Sequence, residues 1–236
     1  RMLNTFENVN KIIANSEFTK ELIKKVNPKL TNIEVIHPGV SSFDNIDEEE
    51  VKLIDGTPTL LTLARLEKRK GHKLIIQSIS RLINKYPNIR YIIAGEGEEK
   101  SYLLSLVGAL NISKNVMFIG SVNDGQKKFI LNKTDLMIMP TIDESEKLSI
   151  EGFGITYIEA ASYGKPSIGG IYGGEGDAIK SGITGYLCNG NDLNAIYETL
   201  LKILSNDKYK ELGTNAYKFS REFTWEKIIK KYINLI

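Results

Sequence analysis

The chain has few of the residues that cross-link a protein, anchor it in a membrane or charge it strongly. Its 236 residues include a single cysteine, Cys188, which excludes an intrachain disulfide and a thiolate metal cluster. No apolar run approaches the roughly 20 residues that cross a bilayer, and the opening RMLNTFENVNK does not have the pattern of a signal peptide. The formal net charge of +2 gives no electrostatic reason to expect a nucleic-acid partner.

Several common catalytic signatures are also missing. The histidines, His37 and His72, have no second histidine nearby, so we predict no metal site and expect both to be structural or solvated. A GxSxG nucleophile motif does not occur. The third glycine of a dinucleotide fingerprint is missing as well, because Lys100 stands where it would follow Gly95 and Gly97. This argues against a nicotinamide-dependent oxidoreductase.

Short apolar runs alternate with amphipathic helical patterns along the chain. Eight of these runs are short, continuous and apolar, as expected for strands covered on both faces. They occupy residues 11–14, 33–36, 59–64, 89–94, 116–119, 136–139, 166–169 and 185–188. Helical patterns lie between them, and three more begin near Leu193, Lys208 and Trp225. This alternation predicts an α/β fold with a Rossmann-like, doubly wound parallel sheet.

A possible domain boundary lies between Gly39 and Thr57. The segment HPGVSSFDNIDEEE combines a Pro-Gly turn, two serines and an acidic run, which is typical of a linker. Before it lie two predicted strands and one helical pattern, for which Ser16 is the expected N-cap. We therefore expect the chain to begin partway through a larger architecture.

Ligands of open α/β sheets bind at the carboxyl ends of the strands, so the residues that follow each run are the candidates for a site. Arg65 and Lys70 follow the third run, and Gly71 and a helical pattern come next. Two cations beside a helix N-terminus can bind a phosphate. A solvated basic loop is the alternative interpretation of the same residues.

Two stretches that contain glycine follow other runs. Gly95, Glu96 and Gly97 come after the fourth run, where glycine permits a tight turn and the close approach of a ligand. A simple strand–helix turn would use the same residues. The segment GGIYGGEGDAI overlaps the end of the seventh run and can pack closely on a ligand or move. We expect its Asp177 to cap the helix that follows.

The stretch EGFGITYIEA carries two carboxylates and a glycine that is expected to open a helix. Glu151 ends a long polar loop, Gly154 precedes the helical pattern, and Glu159 lies about a turn and a half into it. Helix geometry separates the two carboxylates, so we do not expect a pair that shares a proton. They would instead reach different parts of one ligand, with helix N–H groups between them available to phosphate or sugar oxygens.

Nine segments, taken in order, resemble the retaining glycosyltransferases of family 4. They are ANSEFTKELI, VIHPGV, LARLEKRKG, YIIAGEGEEKSYL, VMFIGSV, DLMIMPT, EGFGITYIEAASYGKPSI, GGEGDAI and TGYLCNGND. They cover nearly the whole chain, and the spacing of Glu151 and Glu159 is the most specific feature among them. The resemblance implies a GT-B architecture, in which two Rossmann-like domains face each other across a cleft. The resemblance implies that this chain forms the C-terminal, donor-binding half. Residues 1–42 would be a remnant of the N-terminal acceptor domain with the hinge, and residues 43–236 the nucleotide-sugar-binding domain.

The resemblance also implies a role for each matching residue. Arg65 and Lys70 would neutralise the diphosphate of the donor, and with Glu151, which would contact the donor sugar, they form the expected catalytic set. Glu159 would bind the ribose hydroxyls. The remaining donor-binding residues would be Gly95, Glu96, Gly97, Ile119, Phe153, Gly154 and Ile155. Neither a metal nor another cofactor is implied, because the nucleotide-diphosphate sugar is a substrate.

The implied activity is transfer of a hexose, with retention, to a lipid or saccharide acceptor. The long loop before Glu151 and the GGEGDAI segment favour GDP-mannose as the donor, with UDP-linked hexoses as the close alternative. The acceptor-binding domain is recognisable only up to about Ser42, and its catalytic histidine has no counterpart here. We therefore expect this chain to bind the donor but to transfer poorly. A cytoplasmic location is implied, at the inner face of the membrane if the acceptor is a lipid.

A noncatalytic nucleotide-binding or regulatory module on the same fold is the alternative from another functional class. The intact set of Arg65, Lys70, Glu151 and Glu159 favours the enzyme, because a degenerate module would have little reason to keep all four.

Overall fold

The computed structural model describes residues 9–41, 45–144, 146 and 149–235, and all eight predicted strands lie among them. The strands are β1 Ile12–Ala14, β2 Ile33–Val35, β3 Thr59–Leu63, β4 Arg90–Ala94, β5 Val116–Gly120, β6 Leu136–Met139, β7 Ser167–Gly169 and β8 Gly185–Leu187. Each strand matches its predicted run to within one residue at either end, so these predictions are confirmed. The predicted boundary between residues 42 and 43 lies outside the described residues.

Helices connect the strands as the amphipathic patterns predict. They are α1 Glu17–Val26, α2 His72–Leu82, α3 Lys100–Ala109, α4 Asp124–Lys133, α5 Ile155–Ser162, α6 Glu175–Ala178, α7 Leu193–Leu204, α8 Lys208–Ser220 and α9 Trp225–Ile233. The three predicted C-terminal starting points are confirmed, and Ser16 caps α1 by accepting a hydrogen bond from the Thr19 N–H at 3.0 Å. No helix in the described part of the chain has the length and hydrophobicity to cross a membrane.

Strands β3 to β8 form one parallel sheet, in the order β5-β4-β3-β6-β7-β8. This is the strand order of a Rossmann fold, in which the chain builds outward from a central strand, returns, and builds outward on the other side. The reversal falls between β3 and β6. The loops after these two strands therefore diverge to opposite faces of the sheet and leave a crevice between them.

Hydrophobic clusters cover both faces of this sheet. On one face, Ile79 of α2, Leu103 of α3 and Leu200 of α7 pack on the sheet. On the other, Ile130 of α4 and Ile158 of α5 do the same. Burial on both faces explains why the strands are continuous apolar runs rather than alternating ones. The predicted doubly wound α/β fold is confirmed.

The N-terminal segment forms a separate small unit. Strands β1 and β2 pair in parallel, and α1 connects them. Four buried apolar residues, Ile12, Ala14, Leu30 and Ile33, make up its own cluster. After β2 the chain reaches His37, whose ring packs on Phe153 at 5.2 Å between ring centroids and so touches the main domain.

Asp177 links the N-terminal unit to the main domain, which corrects the expectation that it caps the helix following it. It lies inside α6, and its Oδ2 accepts hydrogen bonds from the Glu17 N–H at 2.7 Å and from His37 Nε2 at 2.8 Å. The carboxylate thus satisfies a free N–H group at the start of α1, a helix distant in sequence. Burial alone would raise the pKa of Asp177, but these hydrogen bonds outweigh it and hold the pKa below its ordinary value.

We expect Asp177→Ala to lower the free energy of unfolding by about 1–3 kcal/mol at neutral pH, the scale for losing a charged hydrogen-bonding partner. The folded pKa lies below the value of about 3.9 for an unfolded aspartate, so this contribution is complete above that value and disappears as the pH falls through the folded pKa. Urea denaturation of wild type and variant, in neutral and strongly acidic buffer, measures the difference.

Glu98→Ala is the matched control for this prediction, because Glu98 is an exposed carboxylate on a loop. It should change stability by less than about 0.5 kcal/mol at either pH. A difference between wild type and Asp177→Ala that is the same in both buffers would contradict the assigned role.

Candidate functional site

A pocket of about 320 Å³ lies at the crevice between the ends of β3 and β6. Six of the predicted site residues line it, namely Arg65, Lys70, Glu151, Phe153, Gly154 and Ile155. They come from the two loops that diverge at the reversal of the sheet. The N-terminal unit and the segment after it add Asn15 and Pro38 to the walls. The pocket is therefore built by both parts of the chain.

Glu151 is the electrostatic centre of this pocket. Its Oε2 accepts hydrogen bonds from Lys70 Nζ at 2.5 Å and from Arg69 Nη1 at 2.9 Å. The three side chains are only 14%, 11% and 10% exposed, in the order Glu151, Lys70 and Arg69. Burial alone would raise the pKa of Glu151, but the two cations outweigh it and hold the pKa below its ordinary value. Glu151 is therefore a carboxylate at neutral pH and can only accept hydrogen bonds.

The two predicted phosphate ligands differ in how firmly they are held. Lys70 is buried beside Glu151, whereas the side chain of Arg65 is 74% exposed and pairs with Glu67 at 2.6 Å. Such an exposed ion pair contributes little to stability. Arg65 thus stands at the rim of the pocket with a weak partner that a stronger anion can replace, and Lys70 lies inside.

Glu159 lies on α5 and has a cation of its own. Its Oε1 accepts a hydrogen bond from Lys127 Nζ, on α4, at 2.8 Å, and both side chains are mostly buried. Glu159 is not part of the pocket wall described above. The two glutamates of EGFGITYIEA bind different cations, as expected for carboxylates that do not share a proton.

The predicted helix start at Gly154 is confirmed, since α5 begins at Ile155. Gly154 has a φ of 87°, and a β-carbon there would lie 2.4 Å from the ring of Tyr157. Glycine is required at this position for both reasons. Ile155 and Thr156, in the first turn of the helix, line the pocket, so the free N–H groups of that turn are close to it.

Gly95, Glu96, Gly97 and Ile119 lie at the carboxyl ends of β4 and β5, outside the wall of this pocket. A β-carbon on Gly95 or Gly97 would lie 2.0 Å from the Ala64 carbonyl oxygen or 2.5 Å from that of Leu66. Packing of the two loops on each other thus accounts for both glycines. The expectation that they frame a nucleotide stays a prediction.

The two histidines have different surroundings, and neither lines the pocket. His72 is buried between the Tyr91 hydroxyl and the Arg65 carbonyl oxygen, each at 3.3 Å. Burial, opposed by the backbone hydrogen bond, lowers its pKa to about 4, so the ring is neutral at physiological pH. His37 packs between Phe153 and Phe223. Among the described residues, no cluster of three or more His, Cys, Asp or Glu side chains is arranged to hold a metal ion.

Sequence reasoning missed several polar residues around the pocket. Arg69 and Lys127 are the partners of the two glutamates, and Asn15 lines the pocket from the N-terminal unit. Glu175 is fully buried, and its Oε1 accepts a hydrogen bond from the Thr141 hydroxyl. Burial raises the pKa of Glu175, and its Oε2 is a buried atom without a partner among the described residues. The sequence features that could have pointed to Arg69 and Glu175 are the KRK run and the GGEGDAI segment.

The loop after β7 rests directly on the loop that carries Glu151. The Gly174 N–H donates to the Glu151 carbonyl oxygen at 2.8 Å. A β-carbon on Gly174 would lie 2.1 Å from the Gly152 carbonyl oxygen and 2.9 Å from Ser16 Oγ. Because the nearest atom is backbone, any side chain there would push the loop of Glu151 away from its position.

We expect Gly174→Ala to destabilise the protein by about 1–3 kcal/mol, the range for overpacking a tight contact. Gly108→Ala is the matched control, since Gly108 lies in α3 and a β-carbon there would meet nothing within 4 Å. That variant should be neutral or more stable by up to about 1 kcal/mol. Urea denaturation compares them, and a Gly174→Ala protein as stable as wild type would contradict this account of the loop contact.

The strand order, with its reversal between β3 and β6, places the chain in the class of doubly wound, Rossmann-like α/β domains. The chain has a parallel-sheet, Rossmann-like fold, and its structural neighbours are GT-B glycosyltransferases. It belongs to the family described as Glycosyl transferases group 1, whose model matches residues 44–219. The resemblance drawn from the nine segments is thereby confirmed at the level of the family.

Relatives with assigned activities differ in donor and acceptor. The chain is 26% identical over 212 residues to a GDP-mannose-dependent monoacylated alpha-(1-6)-phosphatidylinositol monomannoside mannosyltransferase of Corynebacterium glutamicum, covering 89% of this chain and 55% of that protein. It is 27% identical over 187 residues to N-acetyl-alpha-D-glucosaminyl L-malate synthase of Bacillus anthracis, covering 78% and 46%. The chain thus spans about half the length of these curated relatives.

Solved structures share the fold. HepE of Anabaena, solved in complex with UDP and glucose, superposes with a TM-score of 0.80 at 18% identity, covering 96% of this chain and 63% of that one. Sucrose-phosphate synthase of Thermosynechococcus elongatus gives a TM-score of 0.81 at 21% identity, covering 98% and 59%. At these identities the likeness concerns the fold alone.

Proposed function

We propose that this chain binds a nucleotide-diphosphate sugar in the pocket between β3 and β6 and serves as the donor half of a retaining hexosyltransferase. The observation that carries the proposal is the set of Lys70, Glu151 and Arg65 around that pocket, beside the first turn of α5. Cations and free helix N–H groups suit a diphosphate. A carboxylate that only accepts hydrogen bonds suits sugar hydroxyls.

The proposed chemistry uses charge and position rather than a covalent intermediate. Lys70 and Arg65 neutralise the diphosphate and stabilise the charge that develops on the departing nucleotide. Glu151 orients the sugar through its hydroxyls, and Glu159 holds the ribose. The acceptor hydroxyl attacks the anomeric carbon on the face from which the phosphate leaves, so the configuration is retained. The leaving phosphate accepts the proton of that hydroxyl.

We propose GDP-mannose as the donor and a lipid or saccharide as the acceptor. The support for the donor is the GDP-mannose-dependent relative, which the chain matches over 89% of its own length. UDP-hexoses are the second candidate, supported by the structural neighbours solved with UDP. The acceptor would be bound mainly by the part of a GT-B enzyme that this chain does not span, so the chain alone would transfer poorly.

A thermal-shift panel of GDP-mannose, UDP-glucose and ADP-glucose tests the proposal. A ligand present at about 100 times its Kd stabilises the folded state by about 2.7 kcal/mol, which raises the Tm of a chain of this size by roughly 5–10 °C. We expect the largest rise with GDP-mannose. No rise with any of the three would refute the function, and a shift without transfer by the intact protein would favour the noncatalytic module.

We expect Lys70→Ala to weaken binding of GDP by about 10- to 150-fold, corresponding to the roughly 1.5–3 kcal/mol of a charged hydrogen bond. Lys68→Ala is the matched control, since Lys68 belongs to the same turn but lines a separate pocket with Glu99 and Tyr102. Calorimetric titration measures both variants. Unchanged affinity in Lys70→Ala would remove the phosphate assignment.

We expect Glu159→Ala to weaken binding of GDP and of GDP-mannose by the same factor, about 10-fold, because the ribose is common to both. The variant should also lose the preference of the wild type for GDP over its 2′,3′-dideoxy analogue. Glu198→Ala, which removes an exposed carboxylate from α7, is the control. A retained preference for the ribose hydroxyls in Glu159→Ala would contradict the role.

A further inference from the structure

Arg69 has no role in the function proposed above, yet it is hydrogen-bonded to Glu151, the central carboxylate of the pocket. Its Nη1 and the Nζ of Lys70 both donate to the same oxygen of Glu151, at 2.9 and 2.5 Å. One cation is enough to neutralise a carboxylate, so the second requires an explanation. Arg69 Nε is also a buried donor with no partner among the described residues, which is a cost to stability. The side chain is held here in spite of that cost.

The two cations differ in their access to the pocket. Lys70 lines the pocket, whereas Arg69 contacts Glu151 without lining the pocket. They are neighbours in a 3-10 turn, Lys68–Lys70, where successive side chains point in different directions. In the proposed function, the ammonium of Lys70 is drawn to the diphosphate of the donor. Its short hydrogen bond to Glu151 then weakens, and the bond from Arg69 remains.

The second oxygen of Glu151 stays available in this arrangement. Both side-chain hydrogen bonds go to Oε2, and among the described residues none is formed to Oε1. Arg69 therefore fixes one oxygen of the carboxylate and leaves the other to accept a hydroxyl. A planar guanidinium holds this geometry better than a flexible ammonium does.

Arg69 also leaves Glu151 with a cation of its own when Lys70 turns to the diphosphate. Arg65 cannot supply that cation, because it is paired with Glu67 at the rim of the pocket.

We propose that Arg69 is a positioning residue that holds Glu151 toward the donor sugar while Lys70 binds the diphosphate. The inference rests on the proposed function and deepens it, because it separates recognition of the sugar from recognition of the nucleotide. Loss of Arg69 should therefore weaken binding of the complete donor far more than binding of the same nucleotide without its sugar.

Calorimetric titration of the chain with GDP-mannose and with GDP tests this, with UDP-glucose and UDP in their place if the thermal-shift panel selects them. We expect Arg69→Gln to weaken binding of the sugar nucleotide about 10-fold, the effect of one charge-assisted hydrogen bond, and binding of the bare diphosphate less than about 2-fold. Lys68→Gln, in the same turn, should leave both affinities unchanged. Lys70→Gln should weaken both.

A double-mutant cycle with Glu151→Gln shows whether Arg69 acts through that carboxylate. Once Glu151 is changed to Gln, adding Arg69→Gln should bring no further loss of affinity for the sugar nucleotide. Arg69→Met keeps the apolar stem and removes the unpartnered donor, so it gives the same test if Arg69→Gln does not fold. The ratio of the wild-type affinities for GDP-mannose and for GDP, measured in the same experiments, gives the contribution of the sugar.

The outcomes separate the two proposals. Equal weakening of both ligands by Arg69→Gln or Arg69→Met, no weakening of either, or additive losses in the cycle would overturn the role of Arg69 and leave the donor site intact. A wild-type chain that binds neither the sugar nucleotide nor the diphosphate would instead overturn the proposed function, and the role of Arg69 with it.

Discussion

Six parallel strands end at one edge of the sheet, and this crowding controls the rest of the structure. The loops above that edge have little space, so they pack backbone on backbone. Gly95 fits against the Ala64 carbonyl oxygen, and Gly174 fits against that of Gly152. Close packing of this kind excludes any side chain at either glycine, and it fixes the loops relative to one another. The pocket between β3 and β6 keeps its shape for this reason.

Reversal of the strand order then brings together charges that are far apart in sequence. Arg69 and Glu151 are 82 residues apart but share a hydrogen bond, because their loops leave adjacent strands in different directions. Lys127 and Glu159 meet across two helices of one face in the same way. Glu151 and Glu159, both mostly buried, thus each have a cation, as the low polarity of such a site favours.

The strands and part of the candidate site could be predicted from the sequence alone. Continuous apolar runs identify all the strands, and position after a strand brings Arg65, Lys70 and Glu151 to one pocket. Side-chain direction within the KRK turn could not be predicted, because a basic run gives no sign of which cation faces inward. Asp177 illustrates a second limit. Its partners lie in a distant segment, whereas the capping rule considers only neighbours in sequence.

The ion pair between Lys70 and Glu151 has a consequence for the thermodynamics of the pocket. A lysine in solution loses rotamer entropy when a ligand immobilises it, up to about 2 kcal/mol. Here the side chain is already immobilised by folding, so the proposed diphosphate would exchange one anion for another instead of ordering a free chain. The affinity would then depend on the difference between two ion pairs. The enthalpy of binding would be correspondingly modest, and selectivity among ligands would come from their shape and from the hydroxyl groups they present.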